Sequence, residues 1–258
     1  MIKQFFKPAS VDEALKLKGQ FQDEAVWMAG GTKLNATPTR TSKTVAISLA
    51  GLGFNKIDST GSQLRIGAGV TLQALIDHAQ VPCALKEAAG FVYSRHIRNQ
   101  ATVGGEVCAC QVESVLLPIL LVLDAEVVLA DGKSQALEQY LAAPKGALVA
   151  AIVLPDPKRV CATEKVSRSA AGLIVLTAAV ALDAQGKQLI AVDGVTQSAA
   201  RLKDVEAKGL QETALEQAVS QAVAPKEDLR GSVAYKRYIS GVIVADLLAK
   251  CLQKKGGK

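Results

Sequence analysis

Two pairs of adjacent glycines are the residues of this sequence with the clearest potential for chemistry. Gly30-Gly31 stands in "WMAGGTKL" and Gly104-Gly105 in "NQATVGGEV", each with a threonine close by, Thr32 or Thr102. An isolated glycine pair is typical of a turn that needs positive φ, which glycine adopts without a side-chain clash. The alternative is an anion cradle, in which bare backbone N–H groups approach a phosphate that a Cβ would block. Because the pattern occurs twice, two such turns could face one diphosphate from both sides.

A third glycine-containing stretch, "GAGVTL" from Gly67 to Leu72, invites comparison with the Rossmann dinucleotide motif. Leu72 occupies the position of the third glycine. No acidic residue follows about twenty positions later, where the ribose hydroxyls would need one. The sequence therefore argues against a nicotinamide-binding Rossmann site, and we interpret Gly67 and Gly69 as turn residues with at most a secondary ligand role.

Metal and nucleophile chemistry finds little support in the sequence. His78 and His96 have no Cys, Asp or Glu at the spacing of a zinc site, and Cys108-x-Cys110 is only half of a thiolate site. The chain also lacks a Gly-x-Ser-x-Gly elbow, a Walker lysine loop and a His-Glu-x-x-His helix. We expect no metal ligands and no acid–base catalyst in this chain.

Composition narrows the class of protein. The 258 residues are 49% hydrophobic, enough for a sizeable core, and carry a net charge of +6 that is spread along the chain. Only 4% are aromatic and the single basic run is the terminal "KKGGK", so we expect no nucleic-acid binding. The start "MIKQFFKPAS" has no extended apolar segment and the run Val115–Leu123 is short, so we expect no membrane span. Five scattered cysteines favour a reducing cytoplasm.

The first fifty residues predict a β-α-β-like unit. In "SVDEALKLKG", Ser10 and Glu13 form a capping box and Gly19 is the predicted helix end. The short apolar stretches "EAVWMA" and "TVAISL" predict strands, the first of which leads into Gly30-Gly31.

Further along, strands and helices are predicted to alternate. Thr71 is the expected N-cap of the helix "TLQALIDHA", and the bracketing prolines Pro155 and Pro157 are our candidate domain boundary. Beyond them, two paired strands and two helices predict an α+β layer. The predicted elements are the strands "LRIGAG", "AEVVLA", "ALVAAIVLP", "GLIVLTAAVAL" and "QLIAVDGV", an apolar helix at 115–123, a turn at 131–132, and helices at 212–223 and 232–252.

Taken together, the motifs resemble those of a known family. "MAGGTKL" and "IRNQATVGGEV" resemble the two diphosphate-binding signatures of the flavoprotein subunits of molybdenum hydroxylases, the group that includes xanthine dehydrogenase and carbon monoxide dehydrogenase. The likeness covers nearly the whole chain, in order and at sensible spacing. Its other segments are "ASVDEALKL", "RIGAGVTLQAL", "LLPILLVLDAEV", "IVLPDP", "EKVSRS" and "DLRGSVAYKRYISGVIV".

The resemblance implies an α+β fold: a two-subdomain FAD-binding module of the vanillyl-alcohol-oxidase (PCMH) type, then a C-terminal α+β domain with a three-stranded sheet. It implies an FAD-binding domain at 1–157, with subdomains of about 1–55 and 56–157, and a C-terminal domain at 158–258. It also implies that Glu113 and Lys165 lie near FAD; a helix-start carboxylate and a solvated strand-end lysine are the simpler alternatives. The two diphosphate loops implied are Ala29, Gly30, Gly31, Thr32, Lys33 and Leu34, and Thr102, Val103, Gly104 and Gly105.

Two departures from the family pattern stand out. The second signature normally ends in Gly-Gly-Asn, whereas Glu106 stands here, placing a carboxylate where an amide donor is usual. Either FAD binds more weakly or Glu106 points away from it. The first signature has Thr32-Lys33-Leu34 where a Ser/Asp-Leu pattern is common.

By the same resemblance, the chain is an FAD-dependent oxidoreductase subunit that passes electrons from [2Fe-2S] clusters on a partner subunit to an acceptor such as NAD, with molybdopterin on a further subunit. It would be inactive on substrate without those partners. A second hypothesis, motivated by Glu106, is an assembly or binding protein with weak or no flavin. A third is a stand-alone NAD(P)H-dependent flavoenzyme.

Overall fold

A small parallel sheet begins the fold, which is described by a computed structural model for residues 2–36, 41–109, 113–142 and 146–256. Its strands lie in the order β1-β3-β2, so α1 connects two parallel strands. The helix and the two strands that follow it were predicted, whereas β1 was not. The elements are β1 (Gln4–Phe6), α1 (Val11–Phe21), a 3₁₀ turn (Gln22–Glu24), β2 (Ala25–Met28) and β3 (Val45–Ser48).

The predicted capping box starts α1. Ser10 Oγ accepts a hydrogen bond from Glu13 N at 3.2 Å, and Glu13 Oε2 accepts one from Ala9 N at 2.8 Å. The predicted end at Gly19 is wrong, because the helix continues to Phe21 and ends where Gln22 takes a φ of 41°. Gly19 therefore lies inside the helix, with open space beside it.

The middle of the chain forms a five-stranded antiparallel sheet in the order β4-β5-β8-β6-β7. Thr71 caps α2 as predicted, with its hydroxyl accepting from Ala74 N at 3.1 Å. The apolar helix α6 is buried along its whole length. The elements are β4 (Ile57–Thr60), β5 (Gln63–Gly67), α2 (Leu72–Asp77), α3 (Cys83–Gly90), α4 (Arg95–Arg98), α5 (Val103–Ala109), α6 (Leu117–Val122), β6 (Glu126–Leu129), β7 (Ser134–Ala136), α7 (Leu137–Ala142) and β8 (Val149–Leu154).

The last part is an antiparallel sheet covered by helices. The three long strands match the predicted three-stranded sheet, and a two-residue strand extends it to the order β12-β11-β10-β9. Both predicted helices are present, within a residue or two at their starts and ends apart from α10, which runs on to Gly256. The elements are β9 (Cys161–Ser167), β10 (Ile174–Leu182), β11 (Gln188–Asp193), β12 (Ala200–Arg201), α8 (Lys203–Glu206), α9 (Glu212–Ala222) and α10 (Val233–Gly256).

Strand β10 joins the two main hydrophobic cores. Its alternate residues point to opposite faces of the sheet. Ala179 and Ala181 belong to the core built around α6, whereas Ala178 and Val180 belong to the core under α10. Because both faces are covered, β10 is apolar along almost its full length, and the third sheet packs directly on the middle part of the chain.

The helices of the described residues do not include a membrane span. None of them combines the length and the apolar character needed to cross a bilayer.

Candidate functional site

The first glycine pair lies in the loop that follows β2. Gly31 has a φ of +70°, so the turn interpretation holds for this residue. Gly30 is required for a different reason: a Cβ there would overlap the backbone carbonyl of Gln100. The first loop is thus in direct contact with the segment that leads into the second glycine pair.

The second glycine pair lies in the first turn of α5. Thr102 Oγ1 accepts a hydrogen bond from Gly105 N at 3.0 Å, and Gly104 N donates to Ala68 O at 2.8 Å. A Cβ on Gly104 would lie 2.6 Å from the Cβ of Ala68. Close contact with the end of β5 therefore requires glycine at position 104 and fixes where α5 begins.

The two glycine loops line one cavity of about 380 Å³, which we call the loop cavity. The walls beside the loops are mostly apolar and include Trp27, Leu49, Tyr140 and Leu148. Val103 lies behind the wall, 1% exposed, with its N–H bonded to Val70 O at 2.9 Å. The other predicted loop residues all line the cavity: Ala29, Gly30, Gly31, Thr32, Lys33, Leu34, Thr102, Gly104 and Gly105.

The first loop presents backbone donors to this cavity. Among the hydrogen bonds formed between described residues, none uses the N–H of Gly30, Gly31 or Thr32 as its donor. Backbone N–H groups that line a cavity without a protein acceptor are suited to bind an anion.

An ion pair bridges the two loops. Lys33 Nζ lies 2.9 Å from Glu106 Oε1, and the Glu106 side chain is only 6% exposed. The second carboxylate oxygen, Glu106 Oε2, accepts from Ser114 Oγ at 3.0 Å. Glu106 therefore does not point away from the loops; it is held between them.

A second cavity, of about 570 Å³, continues from the first. It shares Thr32, Lys33, Ala101 and Glu106 with the loop cavity. We call it the Lys165 cavity, because Lys165 contributes a cation to its wall. The residues that line it also include Glu113 and the segments 91–94 and 170–172.

Lys165 is held by backbone oxygens. Its Nζ donates to Phe91 O at 3.0 Å and to Ala170 O at 2.9 Å, and it lies 5.9 Å from the centre of the Phe91 ring. Partial burial lowers the pKa of Lys165 below its ordinary value, because a charged amine loses hydration there. The lysine is therefore fixed at the cavity wall by neutral carbonyls.

Glu113 is paired with the C-terminal part of the chain. It forms an ion pair with Arg230, and its backbone has a φ of 80°. Burial raises the pKa of Glu113, although the neighbouring Arg230 opposes the rise. Because α6 begins only at Leu117, Glu113 is not the helix-start carboxylate of the simpler alternative; it lines the cavity wall and its charge is balanced by Arg230.

Asp193 supports the same segment from β11. This fully buried carboxylate accepts from Ser114 N and from Gly194 N, each at 2.7 Å. Burial raises the pKa of Asp193, whereas these backbone donors and the charge of Lys33 oppose the rise. A continuous series of contacts thus connects β11 through Ser114 and Glu106 to Lys33.

Three of these residues, Ser114, Asp193 and Arg230, were not anticipated from the sequence. Ser114 and Asp193 carry no recognisable motif, and Arg230 lies 117 positions from its partner Glu113. The one available signal was the prediction that Glu113 lies near FAD, because a carboxylate in such a site needs a cation beside it.

The glycines of "GAGVTL" serve packing. A Cβ at Gly67 would overlap the backbone of Phe54, and Gly69 N donates to Phe54 O at 2.7 Å. Gly69 lies in a turn, as interpreted, whereas Gly67 is the last residue of β5; neither residue lines the two cavities described here. Across the described residues, no group of three His, Cys, Asp or Glu side chains could hold a metal ion. Cys110 of the Cys108-x-Cys110 pair lies outside those residues.

Comparison with known proteins gives three consistent results. Residues 1–157 match the family described as the FAD binding domain in molybdopterin dehydrogenase. The uncharacterized protein YgfM of Escherichia coli K12 is 59% identical over 253 residues, which cover 98% of both chains. Two solved structures share the fold over 98% of each chain: carbon monoxide dehydrogenase from Hydrogenophaga pseudoflava (TM-score 0.88, 24% identity) and quinoline 2-oxidoreductase from Pseudomonas putida 86 (TM-score 0.84, 18% identity).

Proposed function

Since the chain belongs to the family of FAD-binding domains of molybdopterin dehydrogenases, we propose that it is the electron-transfer flavoprotein subunit of a molybdenum hydroxylase-like oxidoreductase. Electrons would reach it from [2Fe-2S] clusters on one partner subunit and leave to an acceptor such as NAD. A molybdopterin-binding partner would carry out substrate oxidation. Bound FAD supplies the chemistry of accepting electrons singly and donating them as a pair.

The observation that carries this proposal is the shared cavity of the two glycine loops. Gly30, Gly31 and Thr32 offer backbone N–H donors from one side, and Thr102 and Gly105 lie on the other. The diphosphate of FAD carries adjacent negative charges that such donors satisfy. We propose the nine lining residues of the two predicted loops as the diphosphate contacts and Val103 as their support.

The Lys165 cavity is the proposed place for the flavin end. It adjoins the loop cavity and shares four wall residues with it, so a dinucleotide seated in the loops can extend into it. Lys165 and Glu113 line its wall, and we propose both as cofactor-proximal residues. Backbone oxygens of Phe91 and Ala170 hold Lys165 in place, and Arg230 holds Glu113.

The domain division at 157/158 is also proposed. It is supported by the Pro155–Pro157 turn between β8 and β9 and by the end of the family match at residue 157. The C-terminal domain contributes Lys165, Asp193 and Arg230 to the site, so the flavin-binding function uses both domains. Its proposed cytoplasmic location rests on the cysteine pattern alone.

An assembly or binding protein with weak flavin retention is the second candidate, because the Lys33–Glu106 pair places a carboxylate at the cradle. A stand-alone NAD(P)H-dependent flavoenzyme is the third, and turnover by the isolated chain would support it. The three candidates differ in whether the purified chain retains FAD and in whether it turns over NAD(P)H by itself.

An absorption spectrum of the purified chain, before and after incubation with FAD and removal of the excess, tests the proposal. We expect retained visible flavin absorbance that decreases in Gly105→Val, because the added side chain would crowd Thr102 Oγ1 at the wall of the loop cavity. Gly19→Val, at an exposed position of α1 with open space beside it, is the control. Absence of retained flavin, with iron–sulfur and molybdopterin partners present, would contradict the electron-transfer assignment and favour the assembly candidate.

A further inference from the structure

The Lys33–Glu106 ion pair lies where the two cavities meet. Both residues line both cavities; Lys33 belongs to the first glycine loop, and Glu106 directly follows the second. The pair is therefore at the position where an anionic group in the loop cavity would be closest to a side-chain cation.

Glu106 is held rigidly in this position. Its side chain is 6% exposed, with one oxygen on Lys33 and the other on Ser114 Oγ, and Ser114 N is bonded to the buried Asp193. Lys33 is more mobile in principle, since its side chain is 29% exposed and its four-carbon stem is flexible. Of the two partners, Lys33 is the one that can turn toward a ligand.

The charges of the pair cancel before any ligand arrives. A diphosphate entering the loop cavity meets backbone donors and a lysine that already has a carboxylate. Like charges repel across short distances in a partly buried site, where the effective dielectric is low. Glu106 thus opposes the bound anion at the same time as it competes for Lys33.

We propose that Glu106 acts as an internal anion that competes with the dinucleotide diphosphate for Lys33, so that this residue pair sets how tightly the chain holds FAD. The inference rests on the proposed FAD-binding function. Its consequence is a subunit that loads and releases FAD reversibly, with occupancy that follows the FAD concentration.

The experiment is a double-mutant cycle read by isothermal titration of FAD into the full-length apo chain. Glu106→Gln keeps the shape and one acceptor oxygen, replaces the other oxygen with an amide donor and removes the charge, and we expect FAD to bind about tenfold more tightly. Lys33→Met leaves the carboxylate uncompensated, and we expect about tenfold weaker binding. Adding the two single effects gives wild-type affinity, so competition for Lys33 should appear as a double variant that binds FAD about threefold more weakly than that sum. Wild-type affinity in the double variant would show that the two residues act independently and would overturn the inference.

Two further measurements separate this role from a structural one. The salt dependence of FAD binding should be steeper in Glu106→Gln than in the wild type, because Lys33 then meets the phosphates without the competing charge of Glu106. Thermal unfolding of each apo variant verifies folding. Glu138→Gln removes one carboxylate from the exposed Glu138–Lys203 pair and is the matched control, expected to bind FAD like the wild type.

The outcomes are distinguishable. Weaker FAD binding in Glu106→Gln with a lowered unfolding temperature would show a structural bridge and overturn the inference. Equal affinity in all four proteins would overturn it as well. Loss of FAD binding in every protein, wild type included, would instead contradict the proposed function itself.

Discussion

The loop cavity and the Lys165 cavity hold their polar groups in different ways. In the loop cavity, donors belong to the backbone, and their placement depends on glycine contacts such as Gly30 against Gln100. In the Lys165 cavity, charged side chains line the wall and contact groups far away in sequence, as Glu113 contacts Arg230 and Lys165 contacts Phe91 O. The folding stability of such a backbone loop should be more sensitive to an added Cβ than to a change of charge nearby. A side-chain site should behave in the opposite way.

The largest effect should follow Gly30→Ala. The new Cβ would overlap the backbone carbonyl of Gln100. Neither backbone segment can move aside as a flexible side chain could, so we expect a loss of about 3 kcal/mol in the free energy of unfolding. Gly19→Ala inside α1 has open space and should instead stabilise by about 0.5–1 kcal/mol. Urea unfolding of both variants is the measurement. Equal midpoints would show that the first loop is not fixed by close packing.

A smaller effect should follow Arg230→Met. Glu113 would lose its cation while its side chain is only 20% exposed, and we expect a loss of about 2 kcal/mol, between the values for exposed and buried pairs. Adding Glu113→Gln should restore most of it. Lys203→Met breaks an exposed pair and should cost less than about 1 kcal/mol. If Arg230→Met were as mild as this control in urea unfolding, Glu113 would not depend on its contact with the C-terminal part of the chain.

A pH-dependent effect is expected at Lys165. Burial lowers the pKa of Lys165 in the folded chain below its ordinary value of 10.5, so the unfolded chain binds this proton more tightly. Stability therefore rises with pH between the lowered pKa and 10.5, by less than about 1 kcal/mol because solvent screens the amine. We expect the unfolding free energy of the wild type, relative to Lys165→Met, to be higher at about pH 10 than at neutral pH. A difference independent of pH would contradict burial of the amine.

Cysteine labelling should report on the loop cavity without altering stability. Burial raises the pKa of Cys161 to about 11 and that of Cys251 to about 12, so both thiols should resist iodoacetamide in neutral solution. Cys83 is exposed and should react. Cys108 lines the loop cavity, and saturating FAD should slow its labelling while leaving Cys83 unchanged. Peptide mass spectrometry measures each site; equal protection of Cys83 and Cys108 would rule out a local effect.

Most of the fold was predictable from the sequence because its signals are local. The capping box of α1, the N-cap Thr71 and the paired strands β10 and β11 all depend on residues within a few positions of each other. The same holds for the family resemblance and for FAD, which the family match confirms, since its two signatures are short segments. The predicted helix end at Gly19 was wrong because one glycine costs only about 1 kcal/mol in a helix.

The partners of the site's charges were decided by the tertiary structure. The sequence alone could place Lys33, Glu106 and Glu113 in or beside the two signatures, but it left open whether Glu106 faces the cradle. Folding brings Lys33 to Glu106 across 73 positions and Arg230 to Glu113 across 117. Short motifs determine backbone geometry, because turn and cap energies depend on neighbouring residues. Which charged residues become counter-ions depends on which surfaces the hydrophobic cores bring together. Those surfaces meet only after the sheet around β10 has packed on α6.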